Sequence, residues 1–353
     1  MVFEEYAHGG DIYRNRVRLD FSANVNPYGT PKPVRDAVVA AARSLEAYPD
    51  PYCGRLRAKL SERLGVAAEE LICSNGAAEL IYQFAAALRP QQALLTAPSF
   101  SDYEAALRAA GCEPSFFPLP REEGFLLTEG ILERITPETG LLMLTNPNNP
   151  TGRCILWKLL LRILERCRQT GTWLFLDECF LELTDEDSAY TLLDVLREGD
   201  RVFLLRAFTK TYGMAGVRLG YGICRNKELL SRICAASQSW NVSAPAQAAG
   251  LAALECTGWE EKARALIGRE KPRVARALSA LGLAVLPGDA NFLFFSGPEE
   301  LGRQLLERGV LIRSCANYCG LRAGDYRIAV RTRRENDLLI EAITEVLHGR
   351  DGH

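Results

Sequence analysis

The sequence contains little histidine and little lysine, the side chains that most often transfer protons or form Schiff bases. Among 353 residues there are three histidines, and only seven of the 42 basic residues are lysines. His348 and His353 lie in the C-terminal tail, which leaves His8 in the body of the chain. A histidine-based mechanism or a histidine-rich metal site is therefore nearly excluded, and we expect no metal. The candidates for a nitrogen nucleophile are Lys32, Lys59, Lys158, Lys210, Lys227, Lys262 and Lys271.

The sequence also lacks the features of secreted, membrane and nucleic-acid-binding proteins. The eleven cysteines form no CxxC pair, and the first residues show neither the basic nor the apolar segment of a secretory signal. We therefore expect reduced, mostly buried thiols in a cytoplasmic protein. No apolar run approaches the roughly 18 to 20 residues that span a bilayer. A net charge of -2 argues against a nucleic-acid partner.

Between residues 31 and 240, short apolar runs alternate with helical patterns, which predicts an α/β fold with a mostly parallel sheet covered on both faces. Seven strands are predicted at 71–73, 93–96, 115–119, 141–145, 173–176, 202–205 and 219–224. Helices are predicted at 77–88, 101–110, 156–167 and 227–237.

The C-terminal third has the pattern of a small α+β domain. A helical stretch over 245–281 is predicted to break near Gly258 and Pro272. Short strands are predicted at 284–286, 291–295, 310–313 and 326–330, and helices at 299–308 and 335–347. We therefore predict a large domain over 31–240 and a small domain made of 1–30 and 245–353.

Polar motifs follow several predicted strands, where parallel α/β sheets bind ligands. SNGAAE (74–79) opens a helix, and its free amides suit an anion, although ordinary strand-to-helix turns look the same. NPNNPTG (146–152) has two prolines that stiffen the loop holding Asn149. Asp177 and Glu178 end an apolar strand, where an acid either needs a cationic partner or caps a helix.

The most informative motif is RAFTKTYGMAGVRLGY (206–221), which contains Lys210 between two apolar strands. A partly desolvated lysine near Arg218 has a lowered pKa, which suits an amine that forms a Schiff base. A solvated surface lysine is the usual alternative for any single lysine. The combination with the other polar motifs argues against that alternative here.

Together these motifs resemble the fold-type I enzymes that use pyridoxal 5′-phosphate, the aspartate-aminotransferase superfamily, over essentially the whole chain. The resemblance implies an aspartate-aminotransferase-like fold and assigns Lys210 to covalent cofactor binding and proton transfer. It also implies that Asp177 pairs with the pyridine nitrogen and that Asn149 hydrogen-bonds the ring oxygen. The residues it assigns to the cofactor phosphate are Gly76, Ala77, Thr209 and Arg218.

Two aromatic residues have roles in the same resemblance. Phe100 matches the residue that stacks on the cofactor ring, with a core aromatic at a strand end as the alternative. Tyr48, in YPDP (48–51), matches the tyrosine that reaches the cofactor phosphate of the partner subunit. The resemblance therefore implies an obligate homodimer.

Further segments resemble the threonine-phosphate decarboxylases of cobalamin assembly, which are relatives of the histidinol-phosphate aminotransferases. They are HGGDI (8–12), DFSANVNP (20–27) and IRSCANY (312–318) followed by YRIAVR (326–331). Phe180 also fits the decarboxylases, because the aminotransferases usually place a tyrosine there. The short segment between Ile12 and Asp20, and Cys319 where a proline is usual, depart from the family pattern and concern substrate choice.

Arginine side chains predict an anionic substrate. Arg313, Arg327 and Arg331 lie on two predicted strands, and their guanidinium groups match carboxylate or phosphate. Arg327 and Arg331 are four residues apart and are expected to share a strand face, with a solvated side chain as the alternative for Arg331. His8 and Asn24 are expected to line the entrance, with a structural histidine as the alternative for His8.

We therefore predict that a cytoplasmic homodimer decarboxylates L-threonine O-3-phosphate to (R)-1-amino-2-propanol O-2-phosphate and CO₂ in cobalamin biosynthesis. Its predicted partner is a small phosphorylated amino acid, with no nucleic acid and no membrane. A histidinol-phosphate-type aminotransferase and a decarboxylase of L-serine O-phosphate are the alternatives. A DNA-binding ligand sensor and a dinucleotide-dependent oxidoreductase are disfavoured, because we expect no added basic helix-turn-helix domain and no GxGxxG follows the first strand of the predicted sheet.

Overall fold

A computed structural model describes residues 8–14, 16–184 and 191–349. Parts of the predicted small domain, residues 1–7 and 350–353, therefore lie outside the described residues, as does Asn15. The strands are β1 (Leu19–Asp20), β2 (Leu71–Ser74), β3 (Ala93–Ala97), β4 (Ser115–Pro118), β5 (Leu141–Thr145), β6 (Trp173–Asp177), β7 (Val202–Ala207), β8 (Gly220–Ile223), β9 (Ala284–Leu286), β10 (Phe292–Ser296), β11 (Val310–Leu311), β12 (Arg313–Ser314) and β13 (Asp325–Ala329). The helices are α1 (Lys32–Ala41), α2 (Gly54–Leu64), α3 (Ala77–Leu88), α4 (Ser101–Ala109), α5 (Ile131–Arg134), α6 (Trp157–Thr170), α7 (Phe208–Thr211), α8 (Lys227–Ala236), α9 (Ala244–Leu254), α10 (Trp259–Ala280), α11 (Leu301–Glu307) and α12 (Arg333–His348).

The seven strands predicted between residues 71 and 224 form one sheet, in the order β2-β8-β7-β6-β5-β3-β4. Only β8 runs antiparallel to its neighbours, so the sheet is mostly parallel, as predicted. Its two faces are buried under separate apolar clusters. In β5, Leu142 and Leu144 belong to one cluster and Leu141 and Met143 to the other, as the alternation of side chains along a strand requires.

A smaller antiparallel sheet, in the order β12-β13-β10-β9, packs against α10, α11 and α12. The N-terminal segment joins this part of the chain, because β1 pairs in parallel with β11. The predicted strand 310–313 is in fact two strands in different sheets, since β11 pairs with β1 and β12 pairs with β13. The predicted domain boundaries themselves stay a prediction.

The predicted break at Pro272 is wrong, whereas the one near Gly258 is confirmed. Helix α9 ends at Leu254 and α10 begins after Gly258, but α10 continues through Pro272 to Ala280. A proline removes one backbone hydrogen bond, yet the turns on both sides are held by buried side chains such as Ile267 and Val274. In the part of the chain that the structure describes, no helix is long and apolar enough to cross a membrane.

Candidate active site

A cavity of about 450 Å³ opens at the carboxyl ends of the central parallel strands, where ligands bind in folds of this class. Phe100 follows β3, Asn149 follows β5, Asp177 ends β6 and Lys210 follows β7, and all four line the cavity. All the predicted site residues line it except Gly76, Tyr48 and Arg331. Those that it brings together are His8, Asn24, Ala77, Phe100, Asn149, Asp177, Thr209, Lys210, Arg218, Arg313 and Arg327.

Lys210 is partly buried in α7, with its Nζ atom 5.3 Å from the centre of the Phe180 ring. Burial, together with the positive charges of Arg327 and Arg218, lowers the pKa of Lys210 to about 8 from the usual 10.5. Because only the neutral amine is a nucleophile, this shift makes Lys210 far more reactive near neutral pH than a solvated lysine.

Asp177 is buried and held by two donors. The Tyr103 hydroxyl donates to Oδ2 over 2.6 Å, and the backbone amide of Cys179 donates to Oδ1 over 2.8 Å. Burial raises the pKa of Asp177, while these hydrogen bonds and the charge of Lys210 lower it. The arrangement presents an acid to the cavity in a fixed orientation.

Sequence reasoning missed Tyr103, which lines the cavity and also accepts a hydrogen bond from the Thr145 hydroxyl over 2.9 Å. Its position three residues after Phe100 places both on one face of the start of α4, and their rings meet edge to face at 5.7 Å. A buried aromatic residue in an amphipathic helix is ordinarily a core residue, so the sequence contained only a weak signal for its polar role.

The turn between β2 and α3 has the features of an anion cradle. Ala77 and Ala78 begin α3 and line the cavity, at the end of the helix where backbone amides lack helical partners. Gly76 has a φ of 80°, and a Cβ atom there would overlap the guanidinium of Arg218. The absence of a side chain at Gly76 therefore allows the guanidinium of Arg218 to lie beside the N-terminus of α3.

Several buried polar groups on the cavity have no protein partner within the described chain. Both amide atoms of Asn24 lack a hydrogen bond, and so does Nε of Arg327. The other nitrogens of Arg327 donate to Oδ1 of Asn149 and, over 2.9 Å, to the carbonyl of Ser22. Because buried polar groups are normally satisfied, these atoms indicate a polar ligand in the cavity.

Arg313 and Arg327 are both buried and lie on the neighbouring strands β12 and β13, where they are paired directly opposite each other. Arg313 donates to Oδ1 of Asn317 over 2.8 Å and lies over the Tyr318 ring. Among the described residues, neither guanidinium forms an ion pair with a carboxylate. Buried cations without protein counterions are typical of a site for an anion.

Arg331 does not reach the cavity. Strand β13 ends at Ala329, so the alternation that was expected to place Arg331 beside Arg327 does not extend that far. Instead, Arg331 pairs with Glu335 at 2.8 Å and donates to the carbonyl of Asp20 over 3.2 Å. The structure thus gives Arg331 structural partners, in line with the alternative to a substrate role.

The remaining predicted residues lie at the mouth of the cavity or on the surface. His8 lies at the mouth, with Nε2 3.5 Å from Oδ1 of Asp102 and its ring 6.0 Å from that of Phe100. Tyr48 is 79% exposed and stacks on Trp240 at 4.6 Å. Tyr48 therefore does not line the cavity of its own chain.

Known proteins resemble this chain over nearly its full length. The sequence profile described as Aminotransferase class I and II matches residues 16–343. A threonine-phosphate decarboxylase of Salmonella typhimurium is 36% identical, and the match covers 99% of each chain. Histidinol-phosphate aminotransferase 2 of Archaeoglobus fulgidus is 30% identical, with 93% of each chain covered.

Solved structures agree with these relatives. The histidinol-phosphate aminotransferase from Clostridium acetobutylicum matches with a TM-score of 0.87 at 28% identity, covering 94% of this chain and 99% of that one. The L-threonine-O-3-phosphate decarboxylase from Porphyromonas gingivalis matches with a TM-score of 0.82 at 28% identity, with the same coverage. The predicted resemblance, fold class and cofactor are confirmed. The chain therefore belongs to the class I and II aminotransferase family of pyridoxal-phosphate-dependent enzymes.

Proposed function

We propose that this enzyme decarboxylates L-threonine O-3-phosphate to (R)-1-amino-2-propanol O-2-phosphate and CO₂, as a step of cobalamin biosynthesis. The observation that carries the proposal is the pair of buried guanidinium groups, Arg313 and Arg327, on the cavity that also holds Lys210. A substrate with both a carboxylate and a phosphate supplies the two anions that this pair lacks. The 36% identity to a threonine-phosphate decarboxylase supports the same substrate.

The cavity fits pyridoxal 5′-phosphate. Lys210 would hold the cofactor covalently, Asp177 would pair with its ring nitrogen and Asn149 would bond its ring oxygen. The cradle formed by Ala77 and Arg218, together with Thr209, would hold its phosphate. When bound, the cofactor supplies a ring that withdraws electrons and stabilises negative charge at the substrate Cα atom.

The protein's own residues orient the substrate and supply the proton. Arg313 and Arg327 fix the direction of the carboxylate, which determines whether the bond to that group or the Cα–H bond is aligned for cleavage. After CO₂ leaves, Cα must gain a proton, and Nζ of Lys210, with a pKa of about 8, can hold and deliver one near neutral pH.

Phe180 bears on the choice between decarboxylase and aminotransferase. Its ring lies beside Nζ of Lys210 and packs edge-on against Phe292 at 5.1 Å. Phenylalanine at this position places no hydroxyl group in the cavity, whereas the aminotransferases usually have a tyrosine there. Phe180 therefore supports a decarboxylase. Histidinol-phosphate aminotransferase is the second candidate, supported by relatives such as the one from Archaeoglobus fulgidus.

We also propose that the enzyme works in the cytoplasm as a homodimer. The exposed Tyr48, stacked on a half-exposed Trp240, supports a second chain at this surface.

The proposal is tested by measuring CO₂ release from L-threonine O-3-phosphate without any 2-oxo acid. Serine phosphate, and imidazole-acetol phosphate with glutamate, form the comparison panel, and Lys210→Ala is the inactive control. We expect CO₂ from threonine phosphate, with slower turnover of serine phosphate because one methyl group discriminates about 10- to 200-fold. Glutamate-dependent turnover of imidazole-acetol phosphate, with no CO₂ from threonine phosphate, would overturn the proposal.

A further inference from the structure

Among the described residues that line the cavity, one carboxylate has no role in the proposed chemistry. The lining includes two acidic side chains, Asp177 and Asp102, and Asp177 is assigned to the cofactor. A second negative charge beside a site for carboxylate and phosphate repels the substrate. Asp102 is therefore unfavourable at this position unless another contact of its carboxylate compensates for the repulsion.

Asp102 contacts the one histidine in the body of the chain. His8 Nε2 lies 3.5 Å from Asp102 Oδ1, and within the described chain Asp102 has no other ion pair. Their side chains are 44% and 18% exposed, so the pair lies at the mouth of the cavity. The His8 ring also lies 6.0 Å from the ring of Phe100.

The backbone beside His8 is held in place by close packing. The amide of Gly10 donates to the Ser22 hydroxyl over 2.7 Å, and a Cβ atom at Gly9 would overlap the Ser22 carbonyl. Ser22 in turn accepts a hydrogen bond from Arg327 through its carbonyl. The segment that carries His8 is thus anchored to Ser22, whose carbonyl also accepts a hydrogen bond from the buried guanidinium of Arg327.

We propose that Asp102 is a positioning residue that holds the imidazole of His8 over the cavity, where His8 hydrogen-bonds the phosphate of the substrate. The inference rests on the proposed function to the extent that it requires a phosphorylated substrate. With Nε2 directed at Asp102, Nδ1 is the ring nitrogen that remains to hydrogen-bond the phosphate. The carboxylate fixes the orientation of the ring, and this effect outweighs its repulsion of the substrate.

The substitution Asp102→Asn separates this proposal from the alternatives by the sign of its effect. If Asp102 acts through His8, its loss raises KM for the phosphorylated substrate about tenfold, the scale of one hydrogen bond to a charged group, while kcat changes less than about twofold. If Asp102 only repels the substrate, its loss lowers KM. If it only stabilises the first turn of α4, its loss changes stability and leaves KM unaltered.

Glu104→Gln is the matched control, because Glu104 lies in the same turn, pairs with Arg108 at 2.9 Å and does not line the cavity. We expect its KM to equal that of the unaltered enzyme. The combination of His8→Gln with Asp102→Asn tests the coupling. Once His8 is gone, Asp102→Asn is expected to leave KM unchanged or to lower it, because only the repulsion remains to be removed.

A lowered or unchanged KM in Asp102→Asn alone, or an equal rise in KM with and without His8, overturns the proposal. Failure of the proposed function is read separately, from the absence of CO₂ with the unaltered enzyme. In that event the same ratios are measured with whichever phosphorylated amine the enzyme turns over.

Discussion

The amine of Lys210 shares its cavity with the guanidinium groups of Arg327 and Arg218, and burial and these charges lower its pKa to about 8. Half of the Lys210 amines are therefore neutral and nucleophilic at a pH of about 8, whereas a lysine with the usual pKa of 10.5 reaches this point only at pH 10.5. We expect the rate at which cofactor-free protein takes up pyridoxal 5′-phosphate to rise with pH and to level off above about 8. Stopped-flow absorbance across a pH series measures this midpoint.

Arg327→Met removes one of the charges that lower the pKa of Lys210, so the midpoint is expected to move to higher pH. Arg331→Met is the control, because Arg331 is paired with Glu335 outside the cavity and should leave the midpoint in place. A midpoint near 10 in the unaltered protein would contradict this account of Lys210.

Tyr103 supports a second prediction at the residue scale. Tyr103→Phe removes the hydroxyl that donates to Asp177, and this loss raises the pKa of Asp177. A smaller fraction of Asp177 is then ionised, so its attraction to the cofactor ring nitrogen is weaker. We expect the free energy of unfolding to fall by about 1–3 kcal/mol and the Kd of the cofactor to rise about tenfold. Tyr212→Phe is the matched control, since its buried hydroxyl donates to Glu260 over 2.6 Å away from the cavity. It should lose similar stability and keep its cofactor affinity, and a shared loss of affinity would argue against a specific role for Tyr103.

At the residue scale, the sequence predicts residues in motifs at strand ends better than residues whose polar partners are distant in the chain. Lys210, Asp177 and Asn149 lie at or just after strand ends, in motifs that core packing does not explain. The sequence alone therefore predicts that they line the cavity. Tyr103 and Asp102 are not predicted, because their polar contacts are with residues distant in the chain, Asp177 and His8. What each residue does in catalysis stays a prediction for the experiments above.

At the scale of elements, a close approach between β8 and α3 shapes the anion cradle. A Cβ atom at Gly220 would lie 2.5 Å from the amide nitrogen of Ala77, which begins α3 and lines the cavity. Gly220→Ala must therefore displace backbone, and we expect a loss of about 1–3 kcal/mol in stability together with a higher Kd for the cofactor. Equilibrium denaturation and cofactor titration measure the two effects. Gly216→Ala serves as the control, because a Cβ atom there meets nothing within 4 Å and stability should be unchanged.

Strand prediction succeeds for the large sheet because its buried strands are continuous apolar runs, such as 141–145 and 202–205. It fails at 310–313, where the same apolar run contributes to two sheets. Val310 pairs with Leu19, and Arg313 pairs with Arg327, so the division depends on partners that local sequence does not specify. Pro272 shows the same limit, since packing around α10 maintains the helix through a residue that normally ends one.

At the scale of the whole molecule, the proposed homodimer would bring a second chain to the surface that carries the exposed aromatic residues. Tyr48 and Tyr52 are 79% and 76% exposed, and Trp240 stacks on Tyr48 although it is itself 46% exposed. We expect light scattering to give about twice the chain mass of 39.1 kDa. A monomer of full activity would contradict both the dimer and the role assigned to Tyr48.

Mixing two inactive variants tests whether Tyr48 acts in the partner's site. Tyr48→Ala lacks the tyrosine and Lys210→Ala lacks the amine, so each homodimer should be inactive. In a mixed dimer, the Lys210 of one chain meets the Tyr48 of the other and completes one of the two sites. Random exchange of subunits should therefore restore about a quarter of the unaltered activity, because half of the dimers are mixed and each has one complete site. If Tyr48 served its own chain, no dimer would contain a complete site and the mixture would stay inactive, which light scattering of the mixture would distinguish from a failure to form dimers.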